Sequence, residues 1–167
     1  FLRPVHLAQD DSPELLAWRH AIGWFQRERG AFDSFVSLPA TAPFRAVADV
    51  EACLDRLHER DDTDIVITVC PAARSPWFTM VRLDPDGIAH MLLTSYQPIF
   101  RHQDAPPVYD ITPVAYVARP AFVLSADRLF AGRVRTIQVP PEHALDIDTP
   151  WDFRLAECIA CLNLESP

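Results

Sequence analysis

The chain has 167 residues, an apolar fraction of 49% and a net charge of −8 at pH 7. That is the length of one domain with a sizeable core and the composition of a soluble globular protein, not a disordered one. The charge balance gives no basic footprint for DNA, RNA or an anionic membrane, without excluding a single nucleotide in a local arginine pocket; all 15 basic residues are arginine, so the usual P-loop lysine is absent.

No run approaches the ~20 apolar residues of a membrane helix, and Phe1-Leu2-Arg3-Pro4 does not read as a signal peptide. The cysteines Cys53, Cys70, Cys158 and Cys161 make no disulfide framework. Cys158 and Cys161 form a lone CxxC inside an amphipathic helical pattern, which reads as buried thiols in place of a metal or redox motif. A reducing, cytoplasmic location is the expectation.

In chain order, Ser12 to Arg29 reads as a helix. Ser12 is its expected cap, Pro13 lies in the first turn, and Leu15, Trp18, Ala21, Ile22 and Phe25 recur at helical spacing before Gly30. Asp33 to Leu38 reads as a strand, Pro39 to Pro43 as a loop, and Val47 to Glu59 as a helix with Val50, Cys53, Leu54 and Leu57 inward. The β-branched run Asp64 to Cys70 suits a strand covered on both faces. Up to there, strand and helix alternate as in an α/β fold with right-handed crossovers.

A meander follows, with strands at Phe78 to Leu83 and Ile88 to Leu93 around the turn Asp84-Pro85-Asp86-Gly87. The proline-rich stretch from Tyr96 to Pro107 is long for a compact domain, which points to a functional or subunit-contact loop. A short strand is expected at Val114 to Val117, a helical turn at Ala121 to Leu124, a last strand at Val134 to Val139 and a terminal helix at Pro150 to Leu162.

That last strand leads into Leu145-Asp146-Ile147-Asp148-Thr149-Pro150-Trp151-Asp152-Phe153. Residues i and i+2 of an extended segment share a side, so Asp146 and Asp148 can converge on a hard divalent cation such as Mg²⁺ shared with substrate phosphates. The same residues also serve a helix start: Thr149 is a good N-cap, Pro150 suits the first turn, and Asp152 completes an approximate capping box. Asp148 could be the cap instead. One aspartate can serve the helix while both serve a metal.

Three further segments carry candidate groups. Arg101-His102-Gln103-Asp104 could hold an anionic or hydroxylated ligand, or be a solvated charged loop. Thr41 and Arg45 follow a strand, where α/β sheets bind ligands and phosphates could be met, or they form an ordinary strand-to-helix connection. Arg3 to Ser12 precedes a helix whose N-terminus could accept an anion or the polar edge of a base. No GxGxxG, Walker loop, HExxH or GxSxG is present, and neither serine nor cysteine nucleophile schemes find supporting spacing.

In order and spacing, these four pieces resemble the acylneuraminate cytidylyltransferases, which make CMP-sialic acid and related CMP-nonulosonates. Arg3-Pro4 with Leu7-Ala8 and Asp10 is similar to that family's RPxxLAxD. Leu38 to Arg45 is similar to LQPTSPLR, and His102-Gln103 with Pro106, then Tyr116, to RQxxP and the NGAIY strand. Leu145 to Phe153 with Ala156-Glu157 is similar to VDIDTxxDFxxAE, the most specific of the set. The resemblance covers nearly all of this chain but only the C-terminal two-thirds or so of a family member.

The resemblance implies a Rossmann-like nucleotide-diphospho-sugar transferase fold, mostly parallel, in one partial domain over 1–167. It implies a cytoplasmic homodimer with a β-meander dimerisation arm over 77–113 that reaches into the partner's site. The implied reaction is CMP transfer from CTP to an acidic nine-carbon sugar, with pyrophosphate released. Asp146 and Asp148 would be catalytic and hold Mg²⁺. Arg3 and Ser12 would lie at the cytosine, Thr41 and Arg45 near the nucleotide and sugar, and Arg101, His102, Gln103 and Tyr116 at the sugar.

Departures from the pattern bear on these roles. The family's PARGGSKxxPxKN triphosphate loop, first strand and first helix are absent, the glutamine before PTSP is Pro39, the arginine before its glutamine is His102 (with Arg101 alongside), and Thr112 and Pro113 replace the Asn-Gly of NGAIY. With no initiator methionine, a truncated sequence that is inactive alone is the expectation. The alternatives are a non-catalytic nucleotide- or sugar-binding or assembly paralogue, and a cytidylyltransferase for another acidic sugar such as 3-deoxy-manno-octulosonate.

Overall fold

The computed structural model describes residues 1–94, 99 and 101–164. Two compact units make up the chain: Phe1–Val69 with Ile111–Pro167, and Cys70–Asp110.

The first unit is built on a four-stranded mixed sheet in the order β1-β5-β2-β6. These strands are β1 (Phe35–Ser37), β2 (Ile65–Pro71), β5 (Tyr109–Ala118) and β6 (Val134–Gln138). β2 and β6 run parallel, Ile65 opposite Val134 and Val69 opposite Gln138. β1 runs antiparallel to β5, Phe35 opposite Ala118 and Ser37 opposite Tyr116.

The apolar run read as a doubly covered strand is one: every residue from Ile65 to Val69 is buried. One face packs with Trp18 and Ile22 of α1 (Glu14–Arg29) and with Val123 of α3 (Pro120–Ser125). The other packs with Cys53 and Leu57 of α2 (Val47–His58), where Val66, Ala115 and Val117 meet them. Within the sheet Thr68 and Thr112 are both buried, and the Thr112 hydroxyl donates to Thr68 Oγ1 at 2.9 Å. Thr68 Oγ1 lies 3.0 Å from the Thr112 carbonyl and accepts the Ala115 amide at 3.2 Å. The hydroxyls thereby satisfy polar groups that water cannot reach.

Several sequence expectations need correction. Ser12 does not cap α1; its hydroxyl accepts the Gln9 amide and donates to the His6 carbonyl, both at 3.1 Å, and so fastens the preceding 3₁₀ turn Val5–Leu7. Pro13, without a side-chain cap, takes the N-cap position. Phe25 is exposed where the spacing placed it inward; it lies edge-on to Phe32 and, with Phe1, Ile22 and Phe35, lines an apolar cavity of about 370 Å³ beside β1. β5 is ten residues long where four were expected. Pro113 argues against a central strand, but the β1 ladder covers only Tyr116 to Ala118, so Pro113 faces no β1 partner. Cys158 and Cys161 are exposed, not buried; Cys53 alone of the four is fully buried.

The second unit contains the expected hairpin, β3 (Val81–Leu83) with β4 (Ala89–Met91), shorter than the sequence reading. Asp84 Oδ1 accepts the amides of Asp86 and Ile88, and Gly87 takes φ +82° to close the turn. Every residue of both strands is exposed. Residues 95–98 and 100, which include Tyr96 at the start of the expected proline-rich loop, lie outside the described residues, as does the side chain of His102.

Candidate functional site

The segment bearing the paired aspartates is not the direct end of a strand. β6 stops at Gln138, a turn spans 141–143, and 144–148 carries no regular structure before α4 (Pro150–Leu164). Hydrogen bonds hold it instead. The Ile147 amide donates to the Thr41 carbonyl at 2.9 Å, which joins this segment to the loop after β1. At the far end, Thr149 and Asp152 form the expected capping box: the Thr149 amide donates to Asp152 Oδ2 at 2.8 Å and the Asp152 amide to Thr149 Oγ1 at 3.3 Å. Thr149 is therefore the cap, and Asp148 is left with an exposed carboxylate.

Asp146 differs from Asp148. It is half-buried, and its Oδ1 is shielded from water without a hydrogen-bond partner among the described residues. A buried, unpaired carboxylate oxygen is costly, and an oxygen-seeking cation would satisfy it. Among the described residues no three His, Cys, Asp or Glu side chains form a ready metal cage. Two carboxylates completed by phosphate and water oxygens suit Mg²⁺, which keeps several such ligands and seldom occupies an all-protein cage. The residues present thus fit that ion.

Tyr116 of β5 lies within electrostatic reach of Asp146. Burial, then the carboxylates of Glu14 and Asp146, push the Tyr116 phenol up from its ordinary value. The Tyr116 ring packs against Trp18 at a centroid distance of 5.4 Å. Ser37, across the ladder from Tyr116, donates to Glu14 Oε1 at 3.5 Å. Glu14 opens α1 one turn before Trp18, so the helix that packs the core also carries a carboxylate to the site. Ser37 and Glu14 are in contact here, and the carboxylates of Glu14 and Asp146 both act on the Tyr116 phenol.

Arg45 is committed locally. Its Nε donates to the Ala42 carbonyl at 3.2 Å and its Nη2 to the Pro39 carbonyl, which folds the loop around its own guanidinium; burial lowers its pKa. Arg3 is exposed at the start of the first unit and Ser12 half-buried. Arg101 and Gln103 lie in the second unit. Arg101 holds Asp104 in a bidentate pair, with both contacts at 2.9 Å, and Gln103 is exposed in a groove with Pro106, Pro107 and Tyr109. The structure therefore brings Asp146, Tyr116 and the Thr41 loop together, and it adds Glu14, Ser37, Asp49 and His143, which the sequence reading passed over as helix, strand and turn residues. Glu14 and Asp49 left a sequence signal, that of an acid in a first helical turn.

The sheet order and the covered β2 strand make a Rossmann-like α/β fold. Its solved likenesses include the 4-diphosphocytidyl-2C-methyl-D-erythritol synthase of Anaerococcus prevotii, with a TM-score of 0.60 at 12% identity over 92% of this chain and 68% of that one. A CMP:2-keto-3-deoxy-manno-octonic acid synthetase complexed with CTP superimposes with a TM-score of 0.56 at 15% identity over 93% of this chain and 70% of that one. No protein-family model matches the chain.

Curated relatives make the likeness particular. The CMP-N,N'-diacetyllegionaminic acid synthase of Campylobacter jejuni is 27% identical over 168 residues, covering 100% of this chain and 70% of that protein. Post-translational flagellin modification protein B of Campylobacter coli is 26% identical over 161 residues, 94% of this chain and 66% of that protein. The chain thus spans about two thirds of the length of these relatives, and its similarity to them is consistent with the motif resemblance to the CMP-nonulosonate cytidylyltransferases.

Proposed function

We propose that the protein to which these residues belong transfers CMP from CTP to a nonulosonic acid, with pyrophosphate as the second product. The observation that carries this reading is the buried, unpartnered Oδ1 of Asp146 on a segment hydrogen-bonded to Thr41, in a chain that matches a CMP-nonulosonate synthase along its whole length. Asp146 and Asp148 would hold Mg²⁺, which supplies neutralisation of phosphate charge when bound.

The chain's own residues do the rest. The Thr41 to Arg45 loop, braced by the Arg45 guanidinium, lies beside the aspartates and presents the start of α2 to the nucleotide. Tyr116 and Ser37 offer hydroxyls to a polyhydroxylated acceptor, and Trp18 fixes the phenol ring in place. Arg3 and the Ser12 turn take the cytosine end. Arg101, His102 and Gln103 are the candidate partners of the acidic sugar. No lysine and no glycine cluster occurs in these 167 residues, so the triphosphate cradle is not among them, and the 167 residues alone are expected to be inactive.

The exposed hairpin supports a homodimer. A lone two-stranded hairpin is marginal in water, and Val81, Leu83, Ile88 and Met91 leave it apolar and uncovered. A second copy pairing there would bury that surface. No helix among the described residues is long and apolar enough to cross a membrane, and the exposed free thiols of Cys158 and Cys161 suit a reducing, cytoplasmic setting.

The test is product formation by the whole protein with CTP, Mg²⁺ and one acidic sugar at a time. CMP-sugar from a legionaminic- or sialic-type acid supports the reading. Turnover restricted to 3-deoxy-manno-octulosonate moves the acceptor, and CTP binding without turnover on any acid makes the protein a non-catalytic paralogue.

A further inference from the structure

Asp146 and Asp148 sit on a stretch without regular secondary structure, where two like charges would drive each other apart. Two of the ties that hold this stretch are the Ile147 amide on the Thr41 carbonyl and the Thr149–Asp152 box. A third lies upstream. His143 Nδ1 is 2.9 Å from Asp49 Oδ2, an ion-pair contact without hydrogen-bond alignment. Asp49 is only 8% exposed, and the same oxygen accepts the Ala46 amide at 2.8 Å at the start of α2. His143 closes its own turn through its amide on the Pro140 carbonyl at 3.0 Å.

We propose that the Asp49–His143 pair is a positioning device for the cation site, fixing the upstream end of the segment that carries both aspartates. The proposal rests on the cation reading of Asp146 and Asp148. From His143 to Asp146 the chain runs three residues, a reach of at most about 10 Å, so a displaced imidazole releases the nearer aspartate directly. Neither member of the pair reaches the ion; each acts through the backbone of 143–148. The device has an economical design: the carboxylate that caps α2 also anchors the turn, so the loop after β1 and the segment after β6 are registered to one another at Asp49 as well as at Thr41. Groups that orient ligands from behind in this manner are worth about 10-fold or more in metal affinity.

The test uses Mn²⁺ with CTP as a paramagnetic probe of the whole protein labelled with ¹⁵N, reading the broadening of amides 145–149. The wild type is expected to broaden there first, and His143→Ala to need about 10-fold more Mn²⁺ for the same broadening. His143→Asn, whose side-chain amide can reach Asp49, should restore most of the response. Leu57→Ala, a core change, should lower Tm without altering the Mn²⁺ response, which separates positioning from bulk stability. If His143→Ala loses its native spectrum, Asp49→Asn carries the same expectation with the shape retained. A His143→Ala or Asp49→Asn chain that is natively folded and responds like the wild type overturns the positioning role alone. Wild-type broadening that is absent from 145–149, or that persists unchanged in Asp148→Asn, overturns the cation reading and the positioning role with it.

Discussion

The Ile147 amide and the Thr41 carbonyl meet at 2.9 Å, and this single backbone bond joins the two segments that the proposed chemistry needs side by side. One follows β1, the other follows β6, and β5 and β2 separate those strands in the sheet. Helix capping then directs the second segment away: α4 starts at Pro150 because Thr149 and Asp152 satisfy its first amides.

Replacing Thr149 by alanine should cost about 1 kcal/mol of stability, the usual value of an N-cap, read as a lower denaturant midpoint at unchanged slope. The same box has a pH signature. The Thr149 hydroxyl, the Thr149 amide and the Asp148 amide hold the Asp152 carboxyl below its ordinary range. A depressed folded value means that the contribution is complete above the unfolded carboxylate value of about 4 and is lost as pH falls through the lowered one. Asp152→Asn should flatten the acid limb of the stability curve, and an unchanged limb would remove the box from the energetics.

The Thr68–Thr112 hydroxyl pair should resist apolar replacement. Thr68→Val strips the partner from the Thr112 hydroxyl and the Ala115 amide inside a waterless sheet, at a cost of roughly 1–3 kcal/mol in urea unfolding. A neutral outcome would mean that those groups have other partners.

Thiol chemistry distinguishes the helices. Burial and the nearby Asp49 push the Cys53 thiol up to about 12, so it stays protonated and inert at pH 8. Cys158 and Cys161 on α4 are exposed. With an aromatic disulfide reagent, Cys158 and Cys161 should label first in the native chain, and Cys53 only after unfolding. Native labelling of Cys53 at the rate of Cys158 would contradict the packing of α2.

Sedimentation tests the hairpin. Val81→Asp with Leu83→Asp should shift a dimer to monomer while leaving the far-UV spectrum intact, because neither side chain is buried within the chain. An unshifted dimer would place the interface elsewhere.

Where the pattern was local, the sequence could be read directly. The β-branched run of β2, the Asp84 to Gly87 turn and the Thr149–Asp152 box all follow from residues within a few positions of one another. Pro113 hid β5, because the absence of a β1 partner at that point is a property of the sheet and not of the strand. Ser12 misled for the opposite reason: a 3₁₀ turn took the hydroxyl that a helix cap would have used. In the site, the aspartates were legible as a spaced pair. Glu14 beside Ser37, and Asp49 beside His143, were not, since each contact joins residues far apart in the chain.

The most direct test of the proposed function is pyrophosphate release from CTP, with Mg²⁺ and a nonulosonic acid, by the whole protein carrying Asp148→Asn. Loss of the rate by at least about 100-fold, the scale of one transition-state charge partner removed, with an unchanged Tm, is the expected result. An Asp148→Asn enzyme that releases pyrophosphate at the wild-type rate would contradict it.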